Sequence, residues 1–280
     1  MPTDILVSAA WVRERLGEIR LLDVRGRVVD GEPRYRADPT CYREAHIPGA
    51  VFVDWRSDFT DRTDPVPIQL APPREFAADA TRLGIGNESV VVAYDRYRNV
   101  LAGRVVWALR AYGHRAAHVL DGGLDAWLAA EGPVRSGDEH AVPASPAYRT
   151  GPRDDSLWDI DRMRATLDGG VLVIDARAHD EYAGIETHAR RAGHIPGAVN
   201  VPTVRNLDNH GHFRDAHELR EVYGAVGAVP GADVAAYCGS GVTASHDVLA
   251  LEVAGVRAAL YPGSWSEWVT DPARPVATDG

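Results

Sequence analysis

The chain has 280 residues, enough for two domains of ordinary size, and its 45% apolar and 25% charged content is normal for a globular protein and argues against disorder. Its formal net charge of −10 gives no support to a nucleic-acid or anionic-membrane partner. No apolar run approaches the roughly 20 residues that cross a bilayer. Two cysteines, Cys41 and Cys238, do not make a disulfide framework, so a reducing cytoplasm is the expected location.

In chain order, the opening MPTDILVSAAWVRERLGEIR carries an early Asp4 and only a brief apolar stretch; it reads as a first helix and not as a signal peptide. The runs 21-LLDVR-25 and 43-REAHIPGAV-51 follow. A buried strand over 90–94 ends at Asp95, and a helix over 101–112 stops at Gly113, where a C-cap is expected. After 120-LDGGLDAW-127 the stretch 132–156 is rich in Pro, Gly and Ser and reads as a joint. The same series then returns as 173-VIDAR-177, 191-RAGHIPGAV-199, 233-DVAAYC-238 and 260-LYPGSWSEW-268. The offset falls in order, from 152 (Asp23 to Asp175) through 148 (His46 to His194) to 143 (Asp95 to Cys238). The chain therefore holds two copies of one domain, over 1–135 and 156–280, joined by a linker over 136–155. Short β-branched runs alternate with helical patterns in each copy. That predicts an α/β fold, with a mainly parallel central sheet flanked by helices.

Chemistry in such sheets gathers beyond the carboxyl ends of the strands, and Cys238 stands at one of them, between a strand over 234–237 and a helix over 242–254. The unpaired amides of residues 239–244 and the positive end of that helix can surround the sulfur and favour its thiolate. Gly239 and Gly241 would let the backbone curl around one atom. The bland alternative is a small buried core cysteine. A phosphotyrosine-type phosphatase loop would need an arginine to clamp phosphate where Ala244 stands. The run 239-GSGVTA-244 also fits a dinucleotide fingerprint, but the acid expected after the next strand is absent at Tyr261 and Pro262.

The loop 238-CGSGVTA-244, HIPGA at 46–50 and 194–198, the DxR triplets at 23–25 and 175–177 and SWSEW at 264–268 together resemble the tandem-domain rhodanese family. Within it the chain is most similar to the 3-mercaptopyruvate and thiosulfate sulfurtransferases. The resemblance covers nearly the whole chain. It implies two tandem rhodanese-like domains, the first inactive because Asp95 occupies the cysteine position. The second would move a sulfane sulfur from a small-molecule donor, 3-mercaptopyruvate or thiosulfate, through a Cys238 persulfide. The acceptor would be cyanide or a thiol, such as thioredoxin or a low-molecular-weight thiol. No cofactor, metal, nucleic acid or membrane is implied. A non-catalytic persulfide-binding or regulatory module is the alternative.

The resemblance also assigns residues. Cys238 is the nucleophile, and Gly239, Gly241, Val242 and Thr243 belong to the substrate-binding loop. Ser240 matches a loop serine that could donate to the developing enolate, or simply hydrogen-bond within the loop. His46 matches a histidine placed in the same proton relay, with Asp38 as a weaker acidic partner. His194, at the same place in the other copy, argues instead for a shared structural task. Asp23/Arg25 and Asp175/Arg177 read as paired scaffold groups, which can be buried only when partnered. Arg190 matches a donor-binding arginine and Arg191 is adjacent; either could grip a carboxylate or be a solvated surface pair. A further donor arginine is expected four residues after Arg177, where this chain has Glu181. A basic residue next to the cysteine, as in thiosulfate-type loops, is also absent, which favours mercaptopyruvate. His210, His212 and His217 lack clear ligand spacing for a metal. Trp127 and Trp268 read as packing, and Cys41, without a glycine cradle, as inert.

Overall fold

The computed structural model describes residues 5–28, 35–152 and 155–279. The chain forms two compact units. The first comprises residues up to 61, residues 70–153 and the short segment 210–212; the second comprises residues 62–69, 154–209 and 213–280.

The first unit runs β1 (Leu6–Val7), α1 (Ala9–Glu14), β2 (Arg20–Asp23), β3 (Gly26–Val28), β4 (Tyr35–Ala37), α2 (Pro39–Glu44), β5 (Val51–Phe52), α3 (Pro73–Arg82), β6 (Val91–Tyr94), α4 (Val100–Ala111), β7 (Ala117–Leu120) and α5 (Gly123–Ala129). Its main sheet has the order β1-β7-β6-β2-β5, with every pairing parallel. The second unit runs α6 (Ile160–Ala165), β8 (Leu172–Asp175), α7 (His179–Ala183), β9 (Val199–Asn200), α8 (Ala216–Gly224), β10 (Val234–Tyr237), α9 (Thr243–Val253), β11 (Ala258–Leu260) and α10 (Ser264–Trp268). Its sheet, β11-β10-β8-β9, is again parallel and repeats the order of the first unit without the extra edge strand. The α/β architecture read from the repeat is therefore the observed one.

Why these residues adopt these elements follows from burial. All four residues of β6 and of β10 are buried, as expected for strands covered on both faces. Helix α4 is buried along its whole length and α9 from Ala244 to Leu251, which matches their apolar, unstriped sequences. Both stop where Gly113 (φ 86°) and Gly255 (φ 83°) take the left-handed conformation that a side chain disfavours. Trp127 and Trp268 are fully buried in their units' cores, and each indole N–H donates to a proline carbonyl, Pro133 at 2.8 Å and Pro275 at 2.9 Å.

Two expectations need adjustment. The opening is not one helix: Leu6 and Val7 form an edge strand beside Val119 and Leu120, and Ser8 then caps a short helix by accepting the Trp11 N–H. Asp4 lies outside the described residues. Much of the expected linker is docked on the first unit. Ala144 N–H bonds the Thr81 carbonyl, Tyr148 N–H the Thr81 hydroxyl and Gly151 N–H the Tyr112 carbonyl, and the Tyr148 side chain is buried. A Pro-, Gly- and Ser-rich composition marks irregular backbone, which can still pack when it carries an anchoring aromatic. Residues 153 and 154 of that segment are outside the description.

The DxR triplets close the carboxyl ends of β2 and β8. Asp23 and Asp175 are fully buried, and each accepts from the arginine two residues on: Arg25 Nε at 2.9 Å, Arg177 Nε at 3.0 Å, with a second contact from each Nη2. The same Nη2 reaches a distant carbonyl, Ala45 O at 2.5 Å in the first unit and Gly193 O at 2.8 Å in the second. Each ion pair thus ties a strand end to the segment leading into HIPGA. Truncation of Asp175 to alanine strands the Arg177 guanidinium in the interior, so urea unfolding of Asp175→Ala should show a loss of about 3–5 kcal/mol.

Candidate active site

Cys238 follows β10 directly and is almost wholly buried, with 2% of its surface exposed. Its main chain is braced from α10. Its N–H donates to Ser264 Oγ at 3.1 Å, its carbonyl accepts from Trp265 N–H at 2.9 Å, and the Gly239 carbonyl accepts from both the N–H and the hydroxyl of Ser266. SWSEW therefore anchors the loop, a role its sequence alone did not disclose. Gly241 (φ 77°) packs so closely on Pro262 that an added Cβ would stand 2.5 Å from the Pro262 carbonyl oxygen. That oxygen also accepts from the side-chain amide of Gln69 at 3.3 Å. At Gly239 an added Cβ would meet nothing within 4 Å. The two glycines thus differ: position 241 needs glycine for conformation and for space, whereas position 239 leaves an opening beside the cysteine. Gly239, Ser240 and Thr243 are partly exposed, while Gly241 and Val242 are buried.

The first unit shows what a loop of this kind binds. Asp95 follows β6 as Cys238 follows β10, and equal loop lengths lead to α4 and α9. The Asp95 carboxylate is fully buried and is held by four main-chain amides. Tyr97 N–H (2.7 Å) and Asn99 N–H (2.9 Å) donate to Oδ1; Leu101 N–H (2.8 Å) and Ala102 N–H (2.9 Å) donate to Oδ2. Burial pushes this carboxyl up from the ordinary range, and the four amides act against that shift. The brace recurs too, since Leu124 N–H donates to the Asp95 carbonyl at 2.9 Å. In the second unit, among the described residues, the amides of residues 239–244 find no acceptor within the chain. Where the first unit binds its own carboxylate with loop amides, the second has a loop of equal length, a cysteine in the carboxylate's place and amides without an acceptor in the chain.

The remaining predicted residues fall into two groups. Arg190 is exposed, whereas Arg191 is half-buried and donates to the Arg274 carbonyl at 2.8 Å. Glu181 lies half-buried in α7, and its charge supports the protonated Arg177 guanidinium. His46 is fully buried, its Nδ1 lies 2.9 Å from the Tyr42 carbonyl, and its ring stacks on Tyr42. His194 repeats the carbonyl contact and the stack: Nδ1 is 2.8 Å from the Tyr182 carbonyl, and the rings stack at 3.8 Å; the two differ at Nε2, which in His46 is buried with no partner. Main-chain pairing is duplicated as well, His46 with Arg135 and His194 with Ala277. Asp38 caps α2 and accepts from the Cys41 thiol, which raises the Cys41 pKa. His212 pairs with Asp121 at 3.1 Å, and His217 sits in the first turn of α8.

The comparisons with known proteins agree with this geometry. The rhodanese-like domain model matches residues 8–130 and again 159–271. The chain belongs to the rhodanese family. The human 3-mercaptopyruvate sulfurtransferase is 36% identical over 277 residues, covering 94% of this chain and 91% of the human protein. A sulfur carrier protein of Thermus thermophilus, TtuD, is 33% identical, covering 95% and 93%. Among solved structures, the rhodanese-fold 3-mercaptopyruvate sulfotransferase SseA of Escherichia coli superposes with a TM-score of 0.82 at 30% identity, over 94% of this chain and all of that one. The enzyme class that goes with this rhodanese chain is sulfurtransferase.

The loop geometry separates the two glycines experimentally. Gly241→Ala is expected to cost at least about 1 kcal/mol in thermal or urea unfolding through the disfavoured φ and the Pro262 contact. It should also change the alkylation rate of Cys238 by iodoacetamide. Gly239→Ala should leave stability within about 0.5–1 kcal/mol, the usual scale of a glycine-to-alanine change at a compatible site.

Proposed function

We propose that this rhodanese transfers a sulfane sulfur through a persulfide on Cys238. The single observation that carries the reading is the twin loop: in one copy four amides bind a carboxylate, and in the other a cysteine replaces that carboxylate. The Cys238 thiolate attacks the outer sulfur of the donor. With 3-mercaptopyruvate the carbon–sulfur bond breaks, and its electron pair leaves as the enolate of pyruvate, which takes up a proton. With thiosulfate the sulfur–sulfur bond breaks and sulfite leaves. A thiolate, or cyanide, then removes the outer sulfur and restores Cys238, giving covalent double displacement. The amides of Ser240, Val242 and Ala244, which answer in position to those of Tyr97, Asn99 and Leu101 on Asp95, stabilise anionic sulfur in both half-reactions, and Gly239, Gly241 and Thr243 shape the loop between them. In this reading Ser240, partly exposed in the loop, donates to the enolate oxygen. Arg190 supplies the donor-facing cation.

Mercaptopyruvate is the favoured donor, because the loop puts Gly239, Ser240 and Gly241 where a dianion would want a basic side chain. Thiol acceptors, thioredoxin or a small thiol, fit a location in the cytoplasm, where Cys41 and Cys238 stay unpaired. No helix among the described residues is long and apolar enough to cross a membrane. For His46 the duplicated stack and main-chain pairing favour positioning of the HIPGA turn over proton relay. A second reading, a persulfide carrier with slow turnover, is favoured by Glu181 at the expected arginine position and by the resemblance to a protein named as a sulfur carrier.

Three measurements test this. Incubation with either donor should add about 32 Da to wild-type protein and nothing to Cys238→Ser, as persulfide chemistry at one thiol requires; an unmodified wild type overturns the proposal. Glu181→Arg should raise kcat/KM for mercaptopyruvate on the order of tenfold, the scale of one charge-assisted hydrogen bond, and an unchanged value removes Glu181 as the cause of weak donor binding. His46→Gln and His194→Gln should lose similar stability, about 0.5–1.5 kcal/mol for the hydrogen bond. A selective fall of kcat in His46→Gln would restore the relay.

A further inference from the structure

The helix that opens at the Cys238 loop carries a fully buried acid that sulfur transfer, as described above, does not use. Asp247 is the fifth residue of α9 and has no exposed surface. Its Oδ1 accepts two hydrogen bonds, from Thr203 Oγ1 at 2.7 Å and from Asn206 Nδ2 at 2.8 Å, while its Oδ2 is buried with no partner. Thr203 and Asn206 begin and end a 3-10 turn that follows β9. Residues three apart eclipse in such a turn, which is why both side chains meet the same oxygen. The turn is in turn tied to the DxR segment: the Thr203 N–H donates to the Ala176 carbonyl at 3.2 Å. Asn200 Nδ2 reaches the carbonyls of Asp175 and Arg177, at 3.0 and 2.9 Å. Asn206 Oδ1 accepts from Tyr223 OH at 2.8 Å, bringing in α8. Asp247 therefore joins three segments at the carboxyl edge of the sheet to the helix that opens at the Cys238 loop.

We propose that Asp247 is a positioning residue for sulfur transfer, a neutral hydrogen-bonding clamp that fixes α9 and its opening loop against the Thr203–Asn206 turn. The inference rests on the sulfurtransferase reading for its kinetic consequence, not for the clamp itself. The groups around the carboxyl give it no counter-charge. On α9 itself His246 lies 4.0 Å away, and its complete burial pushes its pKa down to about 3, so it is neutral. The turn contributes only Thr203 and Asn206, and α8 contributes the phenol of Tyr223. From β8 the nearest charge is Asp175, which is negative and already paired with Arg177. From β10 and β11 only apolar residues and the phenol of Tyr237, which bonds Ile195 N–H, adjoin the helix. Burial, followed by the Asp175 charge, drives the Asp247 carboxyl well above the ordinary range, against the two hydrogen bonds. The proton belongs on Oδ2, the oxygen that no donor reaches. Because the folded-state value is raised, the stabilisation is complete below the ordinary carboxylate range, near pH 4, and is lost as pH climbs through the raised value.

The test compares wild type, Asp247→Asn and Asp247→Leu from mildly acidic to alkaline pH, a window that opens just above the ordinary carboxylate range. The readouts are the rate of Cys238 persulfide formation by intact mass, steady-state kcat and KM, and urea unfolding at each pH. Asparagine keeps the acceptor oxygen without an ionisable proton. The ratio of Asp247→Asn to wild type, in both rate and stability, should therefore rise with pH, with rates within about threefold of each other at neutral pH. Leucine packs but cannot accept, so kcat should fall on the order of tenfold with little change in KM, the scale of a misplaced catalytic group. A ratio independent of pH for the asparagine variant, or wild-type kcat in the leucine variant, overturns the clamp. If the leucine variant does not fold, the asparagine comparison decides. If wild type takes up no sulfur, the sulfurtransferase reading has failed, and the pH dependence of unfolding still decides the clamp.

Discussion

The arrangement on which the site depends is the convergence of main-chain N–H groups at a strand–loop–helix junction. Amides at a helix start have no partner inside the helix, so a tight loop can aim them at one point. In the first unit that point is the Asp95 carboxylate, with four donors between 2.7 and 2.9 Å. In the second a loop of the same length follows Cys238, and its amides have no acceptor in the chain among the described residues. The two loops have equal length and share one brace from the following helix, an N–H onto the carbonyl of Asp95 or Cys238, to which Ser264 and Ser266 add contacts in the second unit. In the first unit the aspartate satisfies the loop amides internally, and in the second the same position carries a cysteine.

Holding such a loop requires a rigid frame, and the frame is built from polar groups in the interior. Asp23/Arg25 and Asp175/Arg177 are buried ion pairs whose arginines also reach carbonyls on the way into HIPGA. Tyr94 and Tyr237 place their hydroxyls on the N–H groups of Ile47 and Ile195, both at 3.0 Å. The histidine–tyrosine stacks pin the start of each turn. Each group alone would be expensive to bury; together they are mutually satisfied and specify one geometry. Their appearance in both units, including the one without a cysteine, marks them as architecture.

Against that duplicated frame, the features found in only one unit carry the functional information. Cys238 against Asp95 is the largest. Asp247 is another, since the corresponding position of α4 holds Arg104, buried and stacked over Trp107 at 4.6 Å. The neutral-acid clamp is therefore a property of the cysteine-bearing unit. Glu181 belongs to the same class, because it sets a negative charge near the carboxyl end of β8, where an anionic donor would be bound.

The repeat, the alternation of strands and helices, the glycine stops of α4 and α9 and the position of Cys238 were all legible in the sequence. They depend on local pattern: periodicity, turn residues and motif order. The matching of His46 with His194 was legible too, and it anticipated the shared stacking. What sequence could not supply were contacts between residues far apart in the chain. Ser264 holding the Cys238 N–H, Pro262 crowding Gly241, Thr203 and Asn206 meeting on Asp247, and the docking of residues 144–151 are of this kind. Arg190 and Arg191, equivalent on paper, were separated only by the carbonyl that one of them finds. Local chemistry thus determined that this chain would be a duplicated α/β protein with a cysteine at a strand end of its second copy. The tertiary structure decided which groups aim, brace and clamp that sulfur's loop, because hydrogen-bond direction and steric room exist only once distant segments are packed together.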